Sequence, residues 1–392
     1  MGRLPDGRAV FVPFALPGER AQIRLTEEKK GYARGVLLEL LEESPRRIPP
    51  RCAHFAACGG CHYQHMSYDY QLEAKTAIVR DQLERIGGLA NPRVENIVPS
   101  PKIWNYRNNV QFHLTPEGKL GFQEPHSNQV IPVEDCPLAE EPLNEIWPRI
   151  EMDPESGVER ISLRLGDEDD VMLVLEGADV YAPEFSVEEL PISAVYLGPE
   201  GPILLAGGGY LIMEAAGRQF KVSAESFFQV NSMQAANMVK YLQTQLPLAS
   251  HMTLLELFSG VGLFSAFLAP QVDRFVAVES APTATMDFEH NLGEFDHVEL
   301  YETTAEIALA NLELHPDLVL ADPPRAGLGR KVVAAILDTG ASVLAYVSCD
   351  PATLARDARQ LTAGGFHLEK LTPFDMFPQT YHIESISFWR RS

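Results

Sequence analysis

The rhythm of apolar and polar positions changes twice along this 392-residue chain. Over the first fifty residues, short apolar-alternating runs at AVFV (9–12), RAQIRL (20–25) and YARGVLLELLE (32–42) are separated by turn-like segments such as ALPGE, and Pro49-Pro50 closes the stretch. This pattern predicts a small β-barrel over residues 1–50. A helix follows from Tyr70 to Ile86, with apolar residues at helical spacing and Gly87-Gly88 after it. From about 94 the pattern is β-rich: VQFHL and LGFQ flank the turn TPEGK, ISLRL and VMLVLEG flank GDEDD, and VYLG, ILLAG and YLIMEA come after. A central β-rich domain over 51–225 is therefore expected. Beyond 226, helix and strand alternate. Gln229 to Leu246 reads as a helix, followed by strand TLLELF, helix LFSAFLA, strand RFVAVE, a helix near 282–292 and strand LVLAD. A helix near 330–338, strand VLAYVS, a helix from 351 and strand ISFWR complete the run. Such alternation predicts an α/β, Rossmann-like domain over 226–392, with a mostly parallel sheet covered on both faces.

Composition narrows the class. No apolar run reaches 18 residues, and the start MGRLPDGRAVFV lacks a signal-peptide core, so no membrane span and a cytoplasmic location are expected. Thiols there stay reduced, which favours metal binding or catalysis over disulfides. The net charge of −22 argues against a nucleic-acid partner until its distribution is considered. Residues 151–200 hold fourteen acidic side chains against Arg160 and Arg164, whereas residues 1–60 hold ten Lys or Arg against seven acids. Arg20, Arg24, Lys29, Lys30 and Arg34 cluster on the expected barrel, and a local basic face is what phosphates meet. A plain β module with surface lysines gives the same composition.

Five cysteines divide into four and one. Cys52, Cys58 and Cys61 stand in C-x5-C-x2-C, with Cys136 downstream. The four make a metal or cluster set, and their spacing admits both zinc and iron–sulfur. Cys349 stands alone between strand VLAYVS and a helix opened by Asp350 and Pro351. A thiol near a helix N-terminus is a candidate nucleophile, although Asp350 opposes the thiolate. Gly260 and Gly262 follow a buried strand, and Glu279 ends the next one, where an acid can accept both hydroxyls of a ribose. Ser265 holds the place of the third glycine of a dinucleotide motif. A nucleoside-type cofactor without a phosphate requirement fits, S-adenosylmethionine among them. Asp322-Pro323-Pro324-Arg325 forms a stiff loop at a strand's carboxyl end. Glu384, between Ile383 and Ser385 in YHIES, becomes a usable base if buried, and is otherwise a strand-edge acid. His382 is ambiguous in the same way.

Together SCDPATLARD, DPPRAGL, ELFSGVGLFS, ESFFQVN, YHIES and the C-x5-C-x2-C set resemble the RNA (uracil-5-)-methyltransferases over nearly the whole chain. The first fifty residues resemble a TRAM-type RNA-binding module. The resemblance implies that Cys349 is the nucleophile and Glu384 the base. It implies that Gln229, Phe258, Gly260, Glu279 and Asp322 meet S-adenosylmethionine. It also implies that Cys52, Cys58, Cys61 and Cys136 hold a [4Fe-4S] cluster, with zinc as the alternative. Phe227, Phe228 and Tyr381 become candidates for packing on a base swung out of its stack. Members with the cysteine set act mostly on large-subunit (23S) ribosomal RNA and some on tRNA, and a monomer is implied. Ser259, Glu256, Asp350 and Ile383 depart from commoner Cys, Asp, Asn and Val without removing a group the chemistry needs. The alternative of another class is a non-catalytic RNA-binding protein that keeps the cluster, against which the intact Cys349 and Glu384 speak.

Overall fold

The computed structural model describes residues 1–125, 127–184 and 192–391. Along the strand Arg20–Glu28 exposed and half-buried residues alternate strictly, with Arg20, Gln22 and Arg24 outward. It pairs antiparallel with Tyr32–Glu42, and the register slips at three places. Each slip bends and twists the ribbon. Strands Gly2–Arg3 and Ala9–Phe11 complete a four-stranded sheet.

The central region is a seven-stranded sheet. Its spatial order is Gly201–Ala206, Ile192–Gly198, Val171–Gly177, Val158–Leu165, Asn109–Leu114, Leu120–Gln123 and Val130–Pro132. One face packs Phe112, Trp147, Ile161, Leu163, Leu173 and Leu175 into a core of its own. The other face contributes Met172, Val174 and Val195 to a second core, shared with the hairpin Tyr210–Ala215/Arg218–Ser223 and with the C-terminal sheet.

That C-terminal sheet has seven strands: β1 (Thr253–Leu257), β2 (Arg274–Glu279), β3 (Val298–Glu302), β4 (Leu318–Ala321), β5 (Val343–Ser348), β6 (Phe366–Phe374) and β7 (Glu384–Arg391). Their order is 3-2-1-4-5-7-6. Strands β1 to β5 run parallel, and β7 runs antiparallel to both of its neighbours. Successive residues of β1 bury to opposite faces, Leu254 in one core and Leu255 in the other, as strand geometry requires. Helices Ser232–Gln245 and Pro282–Leu292 cover the first face. Gly329–Asp338 and Pro351–Ala363 cover the second, joined by the helix Tyr68–Arg85, whose Val79 and Leu83 enter the same core. Among the described residues no helix is long and apolar enough to cross a membrane.

The α/β expectation holds, with two strands and the short helix Ala305–Asn311 unread. β3 and β6 are absent from the strands read off the sequence. They are the two edge strands. β3 is half-buried along most of its length, and β6 is broken by His367, Glu369 and Lys370 before its buried end at Leu371–Phe374. Neither shows the continuous apolar run that marks β5. The expected helix at 263–269 contracts to the single α-turn Ser265–Leu268. The one expected from Gln229 begins at Ser232, where the Asn231 side chain accepts a hydrogen bond from the Gln234 N–H.

Candidate active site

The chain order of the sheet reverses between β1 and β4, and ligands of open α/β sheets bind outside the carboxyl ends at such a point. Phe258, Glu279, Asp322 and Cys349 each follow or end one of the strands β1, β2, β4 and β5, so the fold gathers four of the expected residues on one edge. Phe258 has φ 63°, an uncommon conformation for a non-glycine residue, and its N–H donates to Val278 O at 2.9 Å. Gly260 and Gly262 have φ 55° and 90°. A Cβ on Gly262 would lie 2.3 Å from Leu292 Cδ1, whereas one on Gly260 would meet nothing within 4 Å. The first glycine thus faces open space, and the second admits the helix Pro282–Leu292. The Glu279 carboxylate accepts the N–H groups of Gly260 at 2.9 Å, Ser280 at 2.7 Å and Ala281 at 2.8 Å, which stitches the β1 and β2 loops together. Gln229 lies half-buried before the helix Ser232–Gln245, held through its carbonyl by Asn108 Nδ2 at 3.1 Å.

Cys349 and Glu384 meet through strand register. Ser348 of β5 pairs with Ser385 of β7, so the residue after one and the residue before the other face each other at the end of the ladder, at cross-strand spacing. Burial pushes the Cys349 thiol up to about 12, the carboxyls of Glu384 and Asp322 add to the rise, and Arg325 opposes it. Burial likewise holds the Glu384 carboxyl well above its usual range, with Asp322 adding and Arg325 opposing. Glu384 is 4% exposed, so it is the buried acid and not the strand-edge one. Asp322 keeps some contact with solvent, yet its burial among neighbouring groups pushes it up to about 7. The helix that follows Cys349 offers its N-terminus, with Asp350 as its cap. Asp350 takes that end for itself, accepting Ala352 N–H at 2.9 Å and Thr353 N–H at 2.8 Å. His382 is pushed down to about 4, chiefly by burial and then by Arg325.

Of the three aromatic candidates, Phe227 and Tyr381 are 70% and 51% exposed. Phe228 is core, packed on Phe220. The Tyr381 ring lies 4.2 Å from that of His62.

The other four cysteines line one cavity of about 260 Å³ with Gln64, Arg107 and Phe122. Gly59 N–H donates to Gln123 O at 3.0 Å, hooking the Cys-rich loop to the central sheet. Asn144 grips Cys136 at both its N–H (2.8 Å) and its carbonyl (3.2 Å). All five cysteines are free thiols. Among the described residues no three Cys, His, Asp or Glu side chains form a group that could hold a metal ion. The donor set is thus gathered without being closed around a point.

Sequence reasoning missed Gln71, Lys75, Asp375 and Gln379. Lys75 Nζ lies 2.6 Å from Asp375 Oδ1, with both side chains fully buried. A signal was present: Gln71, Lys75, Val79 and Leu83 form one i, i+4 stripe, and a lysine within a core stripe needs a partner.

Comparison with known proteins agrees with this geometry. Residues 211–392 match the tRNA (Uracil-5-)-methyltransferase family and residues 1–38 match the TRAM domain. An uncharacterized RNA methyltransferase of Nostoc sp. (strain PCC 7120) is 33% identical over 99% of this chain and 92% of its own. One from Aquifex aeolicus (strain VF5) is 33% identical over 97% of this chain and 93% of its own. The solved tRNA (uracil-54, C5)-methyltransferase of Pyrococcus abyssi, in complex with S-adenosyl-L-homocysteine, superposes with a TM-score of 0.74 at 27% identity, covering 99% of this chain and 98% of that one. With relatives of that identity along its whole length, and with this fold, the chain belongs to the RNA (uracil-5-)-methyltransferase family and carries a TRAM domain at its N-terminus.

Proposed function

We propose that the protein methylates carbon 5 of a uridine in RNA through a covalent adduct on Cys349, with Glu384 as the base. The observation that carries this is the register that sets Cys349 against Glu384 on the edge that also holds Phe258, Gly260, Glu279 and Asp322. Carbon 5 of uracil is a weak nucleophile. The Cys349 thiolate adds to carbon 6, and the electron pair displaced onto the ring makes carbon 5 reactive. S-adenosylmethionine supplies an electrophilic methyl group. After carbon 5 takes that methyl, Glu384 removes its proton, the C6–S bond breaks, the ring double bond reforms and Cys349 is released.

The raised pKa values fit this cycle. Cys349, Asp322 and Glu384 crowd onto one acid-rich edge. An arriving sulfonium cation is the opposite charge that favours the Cys349 thiolate. A carboxylate held above its usual range is the stronger base for the carbon-5 proton after that charge is gone. The open space before Gly260 and the Glu279 carboxylate at its side suit a nucleoside.

For the four-cysteine set we favour a [4Fe-4S] cluster held by Cys52, Cys58, Cys61 and Cys136. Four thiols round one 260 Å³ cavity gather donors that a cluster and a zinc ion both use, and the preference for the cluster rests on the resemblance carried by the cysteine spacing. Its role is structural, since methyl transfer needs no redox step.

Large-subunit ribosomal RNA is the proposed substrate, on the resemblance carried by the cysteine set. A tRNA is the second reading, favoured by the likeness to the tRNA (uracil-54, C5)-methyltransferase of Pyrococcus abyssi. The test is to incubate the protein with 5-fluorouridine-containing RNA and S-adenosylmethionine. The expected result is an SDS-stable adduct that Cys349→Ala abolishes. No adduct, or one that survives the substitution, sinks the mechanism. Mapping 5-methyluridine in rRNA and tRNA of a deletion strain assigns the substrate.

A further inference from the structure

We infer that Gln71 and Gln379 are positioning residues for Glu384, acting through the segment that delivers this carboxylate to Cys349. The inference rests on the methyl-transfer reading above.

Residues 375–383 connect β6 to β7, so they run directly into Glu384. The segment has neither helix nor strand, yet Asp375, Met376, Gln379, Thr380 and Ile383 are all buried. Irregular backbone is normally found at the surface, because buried N–H and C=O groups need partners that only regular structure supplies cheaply. Here four consecutive carbonyls find partners on other segments. Met376 O accepts Asn231 Nδ2 at 3.1 Å, and Phe377 O accepts Lys75 Nζ at 3.0 Å. Pro378 O accepts Tyr106 OH at 3.0 Å. Gln379 O accepts the N–H groups of both His62 and Tyr63 at 2.9 Å.

Gln379 is the keystone of this arm. It has φ 69°, a left-handed conformation that a side chain adopts at a cost, so something must hold it. Gln71 does so twice: its Oε1 accepts the Gln379 N–H at 3.0 Å, and its Nε2 donates to Gln379 Oε1 at 2.9 Å. The same Nε2 lies 3.2 Å from Tyr63 O and Met66 O. The two amides are 1% and 2% exposed, where an unmet hydrogen bond is most costly. From Gln379 the chain needs five residues to reach Glu384, passing Tyr381 and His382. The clasp therefore sets where the arm starts, and the β5–β7 register sets where it ends. His62 and Tyr63 directly follow Cys61, so the cysteine-rich segment is built into the same support.

Glu384 acts after methyl transfer, when the carbon-5 proton must leave before the C6–S bond can break. A carboxylate shifted slightly out of line slows that step and leaves the earlier addition intact, so enzyme accumulates as the methylated adduct. Gln71→Met keeps the shape of the side chain and removes both of its bonds to Gln379 along with those to Tyr63 O and Met66 O. Gln379→Ala removes the side-chain bond of the clasp while its N–H keeps its place. With ordinary uridine RNA and S-adenosylmethionine, each is expected to lower kcat about tenfold or more, because small displacements of reacting groups are costly. The fraction of enzyme trapped in an SDS-stable complex with ordinary RNA rises above that of wild type. A double variant no slower than the worse single variant is expected of one clasp. The inference is overturned if kcat is unchanged, or if kcat falls in step with melting temperature and the trapped fraction does not rise. A wild type that forms no adduct even with 5-fluorouridine RNA overturns the underlying mechanism as well. A wild type that forms it, beside a Gln71→Met enzyme with an unchanged trapped fraction, removes this inference alone.

Discussion

Two thiol sites in this molecule share one electrostatic condition and differ in what surrounds it. Burial pushes Cys61 up to about 12 and Cys58 up to about 11, and it pushes Cys349 up to about 12. The size of the shift therefore does not tell a ligand from a nucleophile. The neighbours do. Beyond burial, Cys58 feels the Gly60 N–H and Cys61 the Gln64 side chain, and then each feels other thiols, Cys52 and Cys136 among them. Cys349 feels two carboxyls and an arginine. A set of buried thiols needs a resident counter-charge to exist as thiolates. A lone thiol on the edge of an α/β sheet can wait for the counter-charge that its cationic co-substrate brings.

That contrast is broken most directly at Cys349. Cys349→Ala is expected to abolish methylation by at least about 10^4-fold, as removal of a covalent nucleophile does, and to leave the melting temperature within a few degrees of wild type. Transfer of labelled methyl to RNA and a thermal melt read the two. Retained turnover would remove the distinction between the sites. Glu384→Gln comes next, with a loss of roughly 10^2- to 10^4-fold for a general base. Here the discriminating readout is qualitative: the variant should still form an adduct, and Cys349→Ala should not.

The four-cysteine cavity should respond in the opposite sense. Cys58→Ser or Cys136→Ser is expected to lose bound metal and on the order of a few kcal/mol of stability, because metal binding is folding energy where no other core closes the site. Metal analysis and a melt of the anaerobically purified protein check this. A sample with one zinc and no absorbance near 400 nm would replace the cluster by a single ion. A metal-free variant with a wild-type melting temperature would leave the cavity without the role given to it.

What was legible in the sequence follows the same division. The carboxyl-edge residues could be read because parallel α/β topology converts a strand end followed by Gly, Asp-Pro-Pro or Cys-Asp-Pro into a position on one edge. Glu279, Asp322 and Cys349 needed only the alternation of elements to be placed. Glu384 needed more. Its partnership with Cys349 depends on an antiparallel β7 inserted between β5 and β6, and β6 went unread because an edge strand shows no strong period. The shift of the Cys349 thiol could not be sized from sequence, because it is set first by burial and then by Glu384 and Asp322, which only the folded chain brings to it. The clasp of Gln71 on Gln379 joins residues 308 apart in sequence, and no short-range pattern encodes such a pair. Only Lys75, a charge within an apolar stripe, hinted that the helix had a polar partner to meet.

The smallest effect sharpens the claim that burial alone does not make a site. Glu256 is a third buried acid beside the cofactor loop, 1% exposed, with its carboxylate hydrogen-bonded by Ser265 Oγ. Burial pushes it up to about 8, with Asp322 and Glu279 adding and the Ser265 bond opposing. Its one side-chain hydrogen-bond partner is the Ser265 hydroxyl, while the acids of the cofactor edge act on it through charge alone. The sign follows from linkage. In the unfolded chain this acid ionises near its ordinary value of 4.5, whereas the folded protein keeps the proton until about pH 8. Between these values the folded state binds more protons, so stability falls as pH rises, by about 1.4 kcal/mol per pH unit at most. Above pH 8 this group adds no further slope. Gln at position 256 cannot ionise and still offers an oxygen to Ser265. The melting temperatures of Glu256→Gln and wild type should therefore lie close together near pH 4.5, diverge in favour of the variant up to about pH 8, and stay parallel beyond. Melts across that range, paired with methylation rates that remain within a few-fold of wild type, would place Glu256 outside the chemistry. A large loss of rate with no divergence of the melts would instead put this buried acid in the same class as Glu384.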